Sequence, residues 1–409
     1  MNGQARGVEW VRQACVAVGL AGMLAVAGAQ QAPAPIRIGL VGPFSGPSSD
    51  FGVPMMNGAL LAAEEINAAG GYLGRPLELV IKDDTANPDV GLQRSQELLK
   101  EGVLATIGFC NTGVAMKSLE LFQNARAPLI VPCATGTPIT TKFPAPESYI
   151  FRTSPRDALQ APFVVDDIVS RGWTRVAILA DKTGYGEAGM NDVVQALAGH
   201  GLKPVHIGRF DLGVKDLKDE VKAAQEAGAN VLFSYTVGAE AAVIAKARQA
   251  LKWNVPQVGA WPLSFPAYIQ GAKDAAEGSL MAQSFIGEPS NERRVAFLSA
   301  YARKFQTRRI AVPMAAAQAY DTVYLLSYAL LSIRNGELTG PAIKQALENI
   351  KRVYYGVVAT HEHPFSRDDK DAITKNMLVM GTVRDGAVTF AYAADRKKNL
   401  IIQRKKTGN

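Results

Sequence analysis

Short apolar runs alternate with longer amphipathic segments along most of this chain, and this alternation restricts its fold more than any other feature. Residues 36–41 and 77–81 are mostly apolar and predict strands, whereas residues 54–69 carry apolar side chains at helical spacing and predict a helix. The rhythm continues to residue 131 and restarts over residues 176–260. Strands that alternate with helices form parallel sheets joined by right-handed crossovers. The sequence therefore predicts an α/β protein with two doubly wound parallel-sheet lobes in series and a cleft between them.

The last third of the chain predicts no third lobe. Residues 291–304, 314–333 and 340–350 have helical periodicity, and a β-rich tail follows with a hairpin turn at Asp385-Gly386. We expect the helices to return to the first lobe and the tail to join the second. The predicted lobes are residues 36–152 plus 283–360 and residues 153–282 plus 361–409, and their several crossings form a hinge.

The N-terminus has the pattern of a secretory signal. Arg6 and Arg12 precede an uncharged apolar run over residues 14–27, and Ala27-Gly28-Ala29 offers a cleavage site. The run is shorter than the ~20 residues that span a bilayer. We therefore expect residues 1–29 to be a signal peptide and the mature chain to be a soluble periplasmic protein.

The charge of the chain bears on which partners it can bind. The formal net charge is +7, and much of it comes from the basic triplets 396–398 and 404–406. No aromatic residue is interleaved with these charges, so we expect a solvated tail and no nucleic-acid partner.

Cys110 and Cys133 each follow a strand-like run. A disulfide between them is permitted in the periplasm, and the sequence leaves it open because it supplies no geometry.

Loops that follow the strands of the first lobe are rich in small and hydroxyl residues. In open α/β sheets a ligand binds beyond the carboxyl ends of the strands, and here those positions are residues 42–52, 110–113 and 132–137. Hydroxyls and free amides at helix starts suit a carboxylate or another anion. Ordinary helix capping explains one such loop, but three at one sheet edge favour a binding site.

The second lobe contains a match to a dinucleotide motif. Gly184 to Gly189 spell G-x-G-x-x-G, and Asp211 lies at a fitting distance downstream. Three polar residues, however, separate the strand from Gly184, whereas the dinucleotide motif turns directly after its strand. We therefore expect no nucleotide cofactor.

A set of short motifs runs in a fixed order along nearly the whole mature chain. The motifs are Phe44-Ser45-Gly46-Pro47, residues 65–75, Lys82-Asp83-Asp84, Ala134-Thr135, residues 181–186 and Ala319-Tyr320-Asp321. In order and rough spacing they resemble the branched-chain amino acid (Leu/Ile/Val) binding proteins, the type I periplasmic receptors of ABC importers. The resemblance implies a type I periplasmic binding protein fold and a receptor that closes around a small ligand.

The resemblance also implies roles for residues of the first lobe. In such proteins a hydroxyl and backbone amides hold the ligand carboxylate at the positions of Asn111, Thr112 and Thr135. Ala134 lies beside Thr135 in the matching motif, and the backbone of Cys133 corresponds to a group that orients the ligand amine.

Two aromatic residues match aromatic positions of the family. Phe51 corresponds to an aromatic of the first loop, and Tyr185 corresponds to the aromatic that closes from the second lobe. Packing beneath a loop is an equal expectation for both residues when the family is set aside.

One departure from the family puts the ligand in question. The amino acid binders carry an acid, which pairs with the ligand ammonium, in the loop that is here residues 261–264, and this loop contains none. Either another acid such as Glu240 or Asp321 replaces it, or the ligand has no amine. In the second case Trp261 would stack on an aromatic or apolar ligand, although a packing role is equally expected.

No pattern typical of an enzyme is present. The sequence lacks G-x-S-x-G, H-E-x-x-H, Walker A and paired C-x-x-C motifs. His361 and His363 flank Glu362 and hint at a metal, but no further ligand is obvious and we expect an exposed loop. We predict a monomeric receptor without cofactor or metal, which binds a small amino acid or carboxylate and docks on the membrane subunits of an ABC importer. The alternatives are a receptor for an aromatic acid or amide, a ligand-sensing domain and an exported hydrolase.

Overall fold

The structure is a computed structural model that describes residues 33–334 and 336–398. Every feature below lies within residues 36–398. The predicted signal peptide, residues 1–29, and the basic triplet 404–406 lie outside the described residues. Within the described ranges, no helix is both long and apolar enough to cross a bilayer.

A five-stranded parallel sheet forms the first lobe. The strands are β1 (Ile36–Gly42), β2 (Leu77–Asp83), β3 (Thr106–Gly108), β4 (Leu129–Val131) and β5 (Ile150–Arg152). The helices between them are α1 (Ser49–Ala68), α2 (Pro88–Lys100), α3 (Thr112–Asn124) and α4 (Pro138–Thr141). The strand order is β2-β1-β3-β4-β5. This order is doubly wound with its switch point between β1 and β3, where ligands of such sheets bind.

A seven-stranded sheet forms the second lobe. Its parallel strands are β6 (Val176–Asp181), β7 (His206–Phe210), β8 (Val231–Tyr235), β9 (Gln257–Gly259) and β10 (Leu280–Gln283). Its helices are α5 (Asp157–Ser170), α6 (Gly184–Gly199), α7 (Lys218–Glu226), α8 (Glu240–Ala250) and α9 (Pro266–Ala272). The predicted tail hairpin is confirmed, since Asp385 and Gly386 turn with φ of 51° and 66°. Its strands β13 (Val379–Arg384) and β14 (Ala387–Phe390) pair antiparallel at the β10 edge.

The remaining helices return to the first lobe. They are α10 (Glu292–Phe305), α11 (Pro313–Ser332) and α12 (Gly340–Glu348), while α13 (Ala393–Lys398) follows β14. α11 packs along α1, and a Cβ on Gly58 would lie only 2.0 Å from the carbonyl oxygen of Ala316. A small hairpin of β11 (Tyr354–Tyr355) and β12 (Thr360–His361) is tied to α11 by a 2.8 Å hydrogen bond from Tyr354 to Asp321.

The chain crosses between the two sheets at three places. β5 leads into α5, β10 leads into α10, and residues 362–378 lead from β12 to β13. The third segment first stays beside the first sheet, because Asp371 bridges Arg152 and the rings of Phe365 and Phe151 lie 5.1 Å apart. The predicted lobe boundaries stay a prediction. These contacts lead us to propose that the third crossing lies after Ala372 rather than at residue 361.

The predicted start of the first helix was wrong. We expected the helix to begin at residue 54, but α1 begins at Ser49 and Pro54 lies inside it. Phe51 and Met55 are buried, at 2% and 0% exposure. Their packing outweighs the hydrogen bond that a proline inside a helix forfeits. Tertiary contacts, rather than local preference, set this end of the helix.

Candidate functional site

α3 begins at the carboxyl end of β3 without a side-chain cap. Asn111 is its N-cap residue, yet the Asn111 side chain makes no capping hydrogen bond, and its Oδ1 has no partner within the described residues. Thr112 is buried, and its hydroxyl accepts a 3.2 Å hydrogen bond from the amide of Gly136. The first amides of a helix carry partial positive charge. This end of α3 therefore suits an anion such as a carboxylate.

The loop after β4 places Thr135 beside the start of α3. Cys133, Ala134 and Thr135 are all buried. The Ala134 carbonyl accepts a 2.7 Å hydrogen bond from the Ser154 hydroxyl, and the Thr135 carbonyl accepts one of 2.9 Å from the amide of Asp157. The hydroxyl of Thr135 has no partner in the described structure. The loop backbone is thus held in place while one buried hydroxyl is unsatisfied.

Tyr185 and Tyr235 approach Thr135 from the second lobe. Tyr185 lies in the first turn of α6, where the Thr183 side chain caps the helix. Tyr235 ends β8, and the two tyrosine rings lie 4.9 Å apart. Neither hydroxyl has a partner of good geometry among the described groups. Burial, followed by the charge of Asp157, raises the pKa of both hydroxyls well above the usual value.

Asp157 supplies the acid of this region, although its sequence context does not indicate this role. It lies in the first turn of α5 and is fully buried. Its Oδ1 accepts a 3.0 Å hydrogen bond from Gln160, whereas no described group bonds its Oδ2. Burial raises the pKa of Asp157 to about 7, and the nearby hydroxyls of Tyr235 and Thr135, which make no hydrogen bond of good geometry with it, offset part of that rise. This carboxyl therefore exchanges a proton near neutral pH.

Among the described residues, four buried polar atoms without a hydrogen-bond partner of good geometry thus lie close together at the junction of the lobes. They are Thr135 Oγ1, Asp157 Oδ2, Tyr185 OH and Tyr235 OH. Each buried polar group without a partner costs roughly 1–3 kcal/mol, and native proteins tolerate few of them. Four in one place indicate a site built to receive polar groups from outside the chain.

Aromatic side chains form a wall between the lobes. Phe51 stacks on Phe265 at 4.8 Å, and Trp261 meets Phe265 edge-on at 4.7 Å. All three are buried, so the structure brings the predicted pair Phe51 and Trp261 together and adds Phe265. The amide of Trp261 donates a 3.1 Å hydrogen bond to Gln160, which also contacts Asp157. Gln160 therefore links the aromatic wall, at Trp261, to Asp157.

The lobes touch at the rim of this region. Thr137 donates a 2.7 Å hydrogen bond to Asp192 on α6. A Cβ on Gly184, at the start of α6, would lie 3.6 Å from the Cα of Gly113 on α3. The starts of α3 and α6 therefore face each other at van der Waals distance, and the structure is a closed form.

Glu240 and Asp321, considered above as replacements for the missing acid that pairs with the ligand ammonium, make other contacts. Asp321 accepts hydrogen bonds from the amides of Val357 and Val358, both at 2.9 Å, besides that from Tyr354. Glu240 accepts a 2.7 Å hydrogen bond from the amide of Gly213. Asp321 therefore holds the β11–β12 hairpin, and Glu240 holds the loop after β7.

Cys110 and Cys133 are buried free thiols, so the disulfide that the sequence left open between them is not formed. The Sγ of Cys110 lies 3.3 Å from the Sδ of Met55. Burial, together with the neighbouring Cys133, raises the pKa of the Cys110 thiol well above its usual value. Cys110 is therefore a packing residue at the edge of the site.

Packing explains the glycine motif of α6. A Cβ on Gly186 would lie 2.0 Å from the carbonyl oxygen of Asp181, and one on Gly189 would lie 1.9 Å from the ring of Tyr235. These glycines let α6 approach the strands closely. They need no phosphate to account for them.

His361 is buried rather than in the exposed loop that we expected. It is 1% exposed, its ring stacks on Tyr354, and its Nε2 lies 3.7 Å from Asp321. Three or more potential metal ligands do not cluster anywhere in the part of the chain that the structure describes. His361 is the last residue of β12, and its burial comes from packing against Tyr354 and Asp321, which a local motif could not indicate.

Comparison with known proteins identifies the family. A sequence profile described as periplasmic binding protein matches residues 35–387. The chain belongs to the periplasmic binding protein family. The leucine-, isoleucine-, valine-, threonine- and alanine-binding protein of Pseudomonas aeruginosa is 27% identical over 274 residues, which cover 66% of this chain and 72% of the relative.

Solved structures show the same fold for this periplasmic binding protein. A branched-chain amino acid transporter substrate-binding protein from Streptococcus pneumoniae, in complex with isoleucine, has a TM-score of 0.75 and 22% identity, covering 87% of this chain and 97% of its own. An ABC transporter solute-binding protein from Rhodopseudomonas palustris, in complex with p-hydroxybenzoic acid, has a TM-score of 0.75 and 23% identity, covering 87% and 95%. The predicted type I fold and the resemblance to branched-chain amino acid binding proteins are confirmed. The chain is a binding protein and not an enzyme.

Proposed function

We propose that this periplasmic binding protein is the receptor of an ABC importer and captures a small carboxylate-bearing ligand between its lobes. The observation that most supports this is the convergence of unsatisfied polar atoms of Thr135, Asp157, Tyr185 and Tyr235. The predicted signal peptide fits a periplasmic receptor. The proposed partners are the ligand and the membrane subunits of the importer, and we keep the prediction of a monomer.

The first lobe holds the ligand carboxylate in this proposal. The uncapped start of α3 at Asn111 and Thr112 supplies amides with partial positive charge, and Thr135 supplies a hydroxyl. Ala134 and Cys133 contribute backbone groups from a loop whose position is already fixed. A preformed set of donors reduces the entropy that binding must overcome.

Asp157 replaces the missing acid of the loop after β9. An amino acid carries an ammonium group, and a buried ammonium needs a carboxylate partner. The Oδ2 of Asp157 has no partner among the described residues and lies near Thr135 and Tyr235. A branched-chain amino acid therefore remains the first candidate despite the departure from the family pattern. The apolar side chain of the ligand would face Phe51, Trp261 and Phe265.

The aromatic wall favours one second candidate, an aromatic carboxylic acid without an amine. Phe51, Phe265 and Trp261 offer ring faces and edges that pair with an aromatic ligand. A raised pKa lets Asp157 be protonated near neutral pH. A protonated Asp157 would donate a hydrogen bond to such a ligand rather than receive an ammonium.

Tyr185 and Tyr235 complete the site when the lobes close. Ligand binding stabilises a closed form only through contacts that the open form lacks. Tyr185 belongs to α6, whose start faces α3 across the cleft. We therefore assign to Tyr185 the closing contact with the ligand.

Thermal melting of the purified mature protein against a ligand panel tests the proposal. The panel contains leucine, isoleucine, benzoate, 4-hydroxybenzoate and the uncharged amide benzamide. A ligand at 100 times its dissociation constant stabilises a protein by about 2.7 kcal/mol, which is readily seen as a melting shift. A shift with leucine or isoleucine supports the amino acid receptor, and a shift only with the benzoates supports the second candidate. A shift with benzamide alone, or with none of the panel, would overturn the carboxylate receptor.

A further inference from the structure

Arg152 is a fully buried cation at the end of β5, next to the first crossing between the lobes. Its guanidinium contacts three separate segments of the chain. The Nη1 donates hydrogen bonds to the carbonyls of Thr135 and Gly136, at 3.0 and 2.8 Å. The Nη2 donates to the Thr140 hydroxyl at 2.6 Å, and the Nε donates to Asp371 at 2.6 Å. A planar fork of donors can hold several partners at fixed angles in this way.

The contacts of Arg152 with Thr135 and Gly136 fix the position of the proposed ligand-binding loop, residues 134–136. The Thr135 carbonyl that accepts from Arg152 also accepts from the amide of Asp157. The Gly136 amide donates to the Thr112 hydroxyl. Arg152 therefore sets the relative positions of Thr112, Thr135 and Asp157 without touching the cleft.

The contact with Asp371 joins this loop to the third crossing. The backbones also pair here, since the Arg152 amide donates to the Lys370 carbonyl and the Ala372 amide donates to the Arg152 carbonyl, both at 2.8 Å. Burial alone would raise the pKa of Asp371, but the charge of Arg152 and further cationic and hydroxyl contacts bring it below its usual value. Asp371 is therefore ionised at neutral pH and forms an ion pair with Arg152.

We propose that Arg152, held by Asp371, is a positioning residue that couples the hinge to the ligand-binding loop. Stability is a weak reason for such a pair, because burying two charges costs about as much as their attraction returns. The forked contacts give a better reason, since they tie the loop at residues 134–136 to two of the crossings. A movement of the hinge then shifts the loop, and a ligand bound to the loop favours one position of the hinge. The second part of this inference rests on the proposed ligand site.

Two substitutions and one matched control test the positioning role. Arg152→Lys keeps the charge but cannot make the forked contacts, and Asp371→Asn keeps the shape but removes the charge. The control is Glu348→Gln, which removes a 2.6 Å ion pair with Lys344 on α12 and a 2.8 Å ion pair with Lys370 on the third crossing segment. Glu348 makes no described contact with the ligand-binding loop. If Asp371→Asn does not fold, Arg152→Lys carries the test alone.

Hydrogen exchange of the ligand-free proteins gives the first measurement. Both test variants should speed exchange of the amides of residues 134–137 by about tenfold or more, because local opening is no longer opposed by the guanidinium. Glu348→Gln should leave these amides unchanged even if it lowers the melting temperature. Unchanged exchange in the test variants, or an equal change in the control, would overturn the positioning role.

Calorimetry with L-leucine and with benzoate gives the second measurement. For the compound that the wild type binds, both test variants should weaken affinity roughly tenfold, with no loss in Glu348→Gln. Wild-type binding with equal affinity in the test variants would overturn the coupling while leaving the proposed function intact. If the wild type binds neither compound, that result counts against the proposed function, and the exchange data alone decide the role of Arg152.

Discussion

The backbone amide of Asp157 donates a 2.9 Å hydrogen bond to the carbonyl oxygen of Thr135. This bond joins the first turn of α5 to the loop after β4, at the first crossing between the sheets. The acid and the hydroxyl of the candidate site therefore sit together at the hinge. We infer that they stay together as the lobes open, so that closure adds Tyr185 and Tyr235 to a polar pair that already exists.

Replacing Asp157 should stabilise the ligand-free protein while impairing its function. The pKa of Asp157 is about 7 in the folded protein, against ~3.9 in an unfolded chain. A raised carboxyl pKa means that the ionised form destabilises the fold, fully above pH 7 and less as the pH falls toward the unfolded value. We expect Asp157→Asn to raise stability at pH 8 by up to about 4 kcal/mol and to weaken leucine binding.

Chemical denaturation at pH 8 and pH 5 measures this effect. The gain in Asp157→Asn should be smaller at pH 5. Asp211→Asn is a suitable control, because Asp211 is a mostly exposed carboxylate paired with Lys182 at 2.9 Å. A less stable Asp157→Asn protein at pH 8 would contradict the assignment of an unsatisfied, ionisable Asp157.

The hydroxyl of Tyr185 should matter for the ligand and not for the fold. Since it has no partner among the described groups, Tyr185→Phe should leave the melting temperature unchanged or slightly higher, and should weaken affinity about tenfold. Tyr268→Phe is the matched contrast, because the Tyr268 hydroxyl is buried but bonded to Ser279 at 2.5 Å. That variant should lose stability and keep its affinity. If calorimetry finds full affinity in Tyr185→Phe, this hydroxyl does not make the contact with the ligand that closes the lobes.

A bulky residue at Gly184 should prevent the lobes from closing. A Cβ on Gly184 would already be in van der Waals contact with Gly113, so the further atoms of a leucine side chain would crowd the start of α3 in the closed form. We expect Gly184→Leu to keep the same radius of gyration in small-angle scattering with and without ligand, whereas the wild type becomes more compact. Gly199 lies at the C-terminal end of α6, and a Cβ there would have no described atom within 4 Å. The Gly199→Leu protein should therefore close like the wild type. Normal compaction of Gly184→Leu would show that closure does not bring α3 and α6 together.

The fold could be predicted largely because its signals are local. Apolar periodicity located four parallel strands in each sheet, and Asp385-Gly386 located the hairpin, whereas β5 and β10 lay outside the predicted runs. Phe51, Trp261, Thr135 and Tyr185 could be named because strand ends and a family resemblance indicated them. Their roles in binding stay predictions, although the structure brings them to one region.

The residues that were missed have ordinary local appearances. Tyr235 ends a fully buried strand and stacks on Phe233 at 6.0 Å, so its sequence pattern is that of a core aromatic. Asp157 begins a helix, where an acid usually interacts with the helix dipole. Only the three-dimensional position of the first crossing shows that these side chains meet Thr135. The contacts of Arg152 with Asp371 were hidden for the same reason, since the two residues lie far apart in the chain.

The pH dependence of ligand affinity tests the central role of Asp157 most directly. Calorimetry at pH 6 and pH 8 should use leucine and benzoate, whose own charges stay constant over this range. With the pKa of Asp157 at about 7, an amine-bearing ligand should bind about tenfold more tightly at pH 8, and a carboxylate without an amine about tenfold more tightly at pH 6. In Asp157→Asn the dependence should vanish. Equal wild-type affinities at the two pH values would contradict the account, because they would mean that the ligand does not meet Asp157.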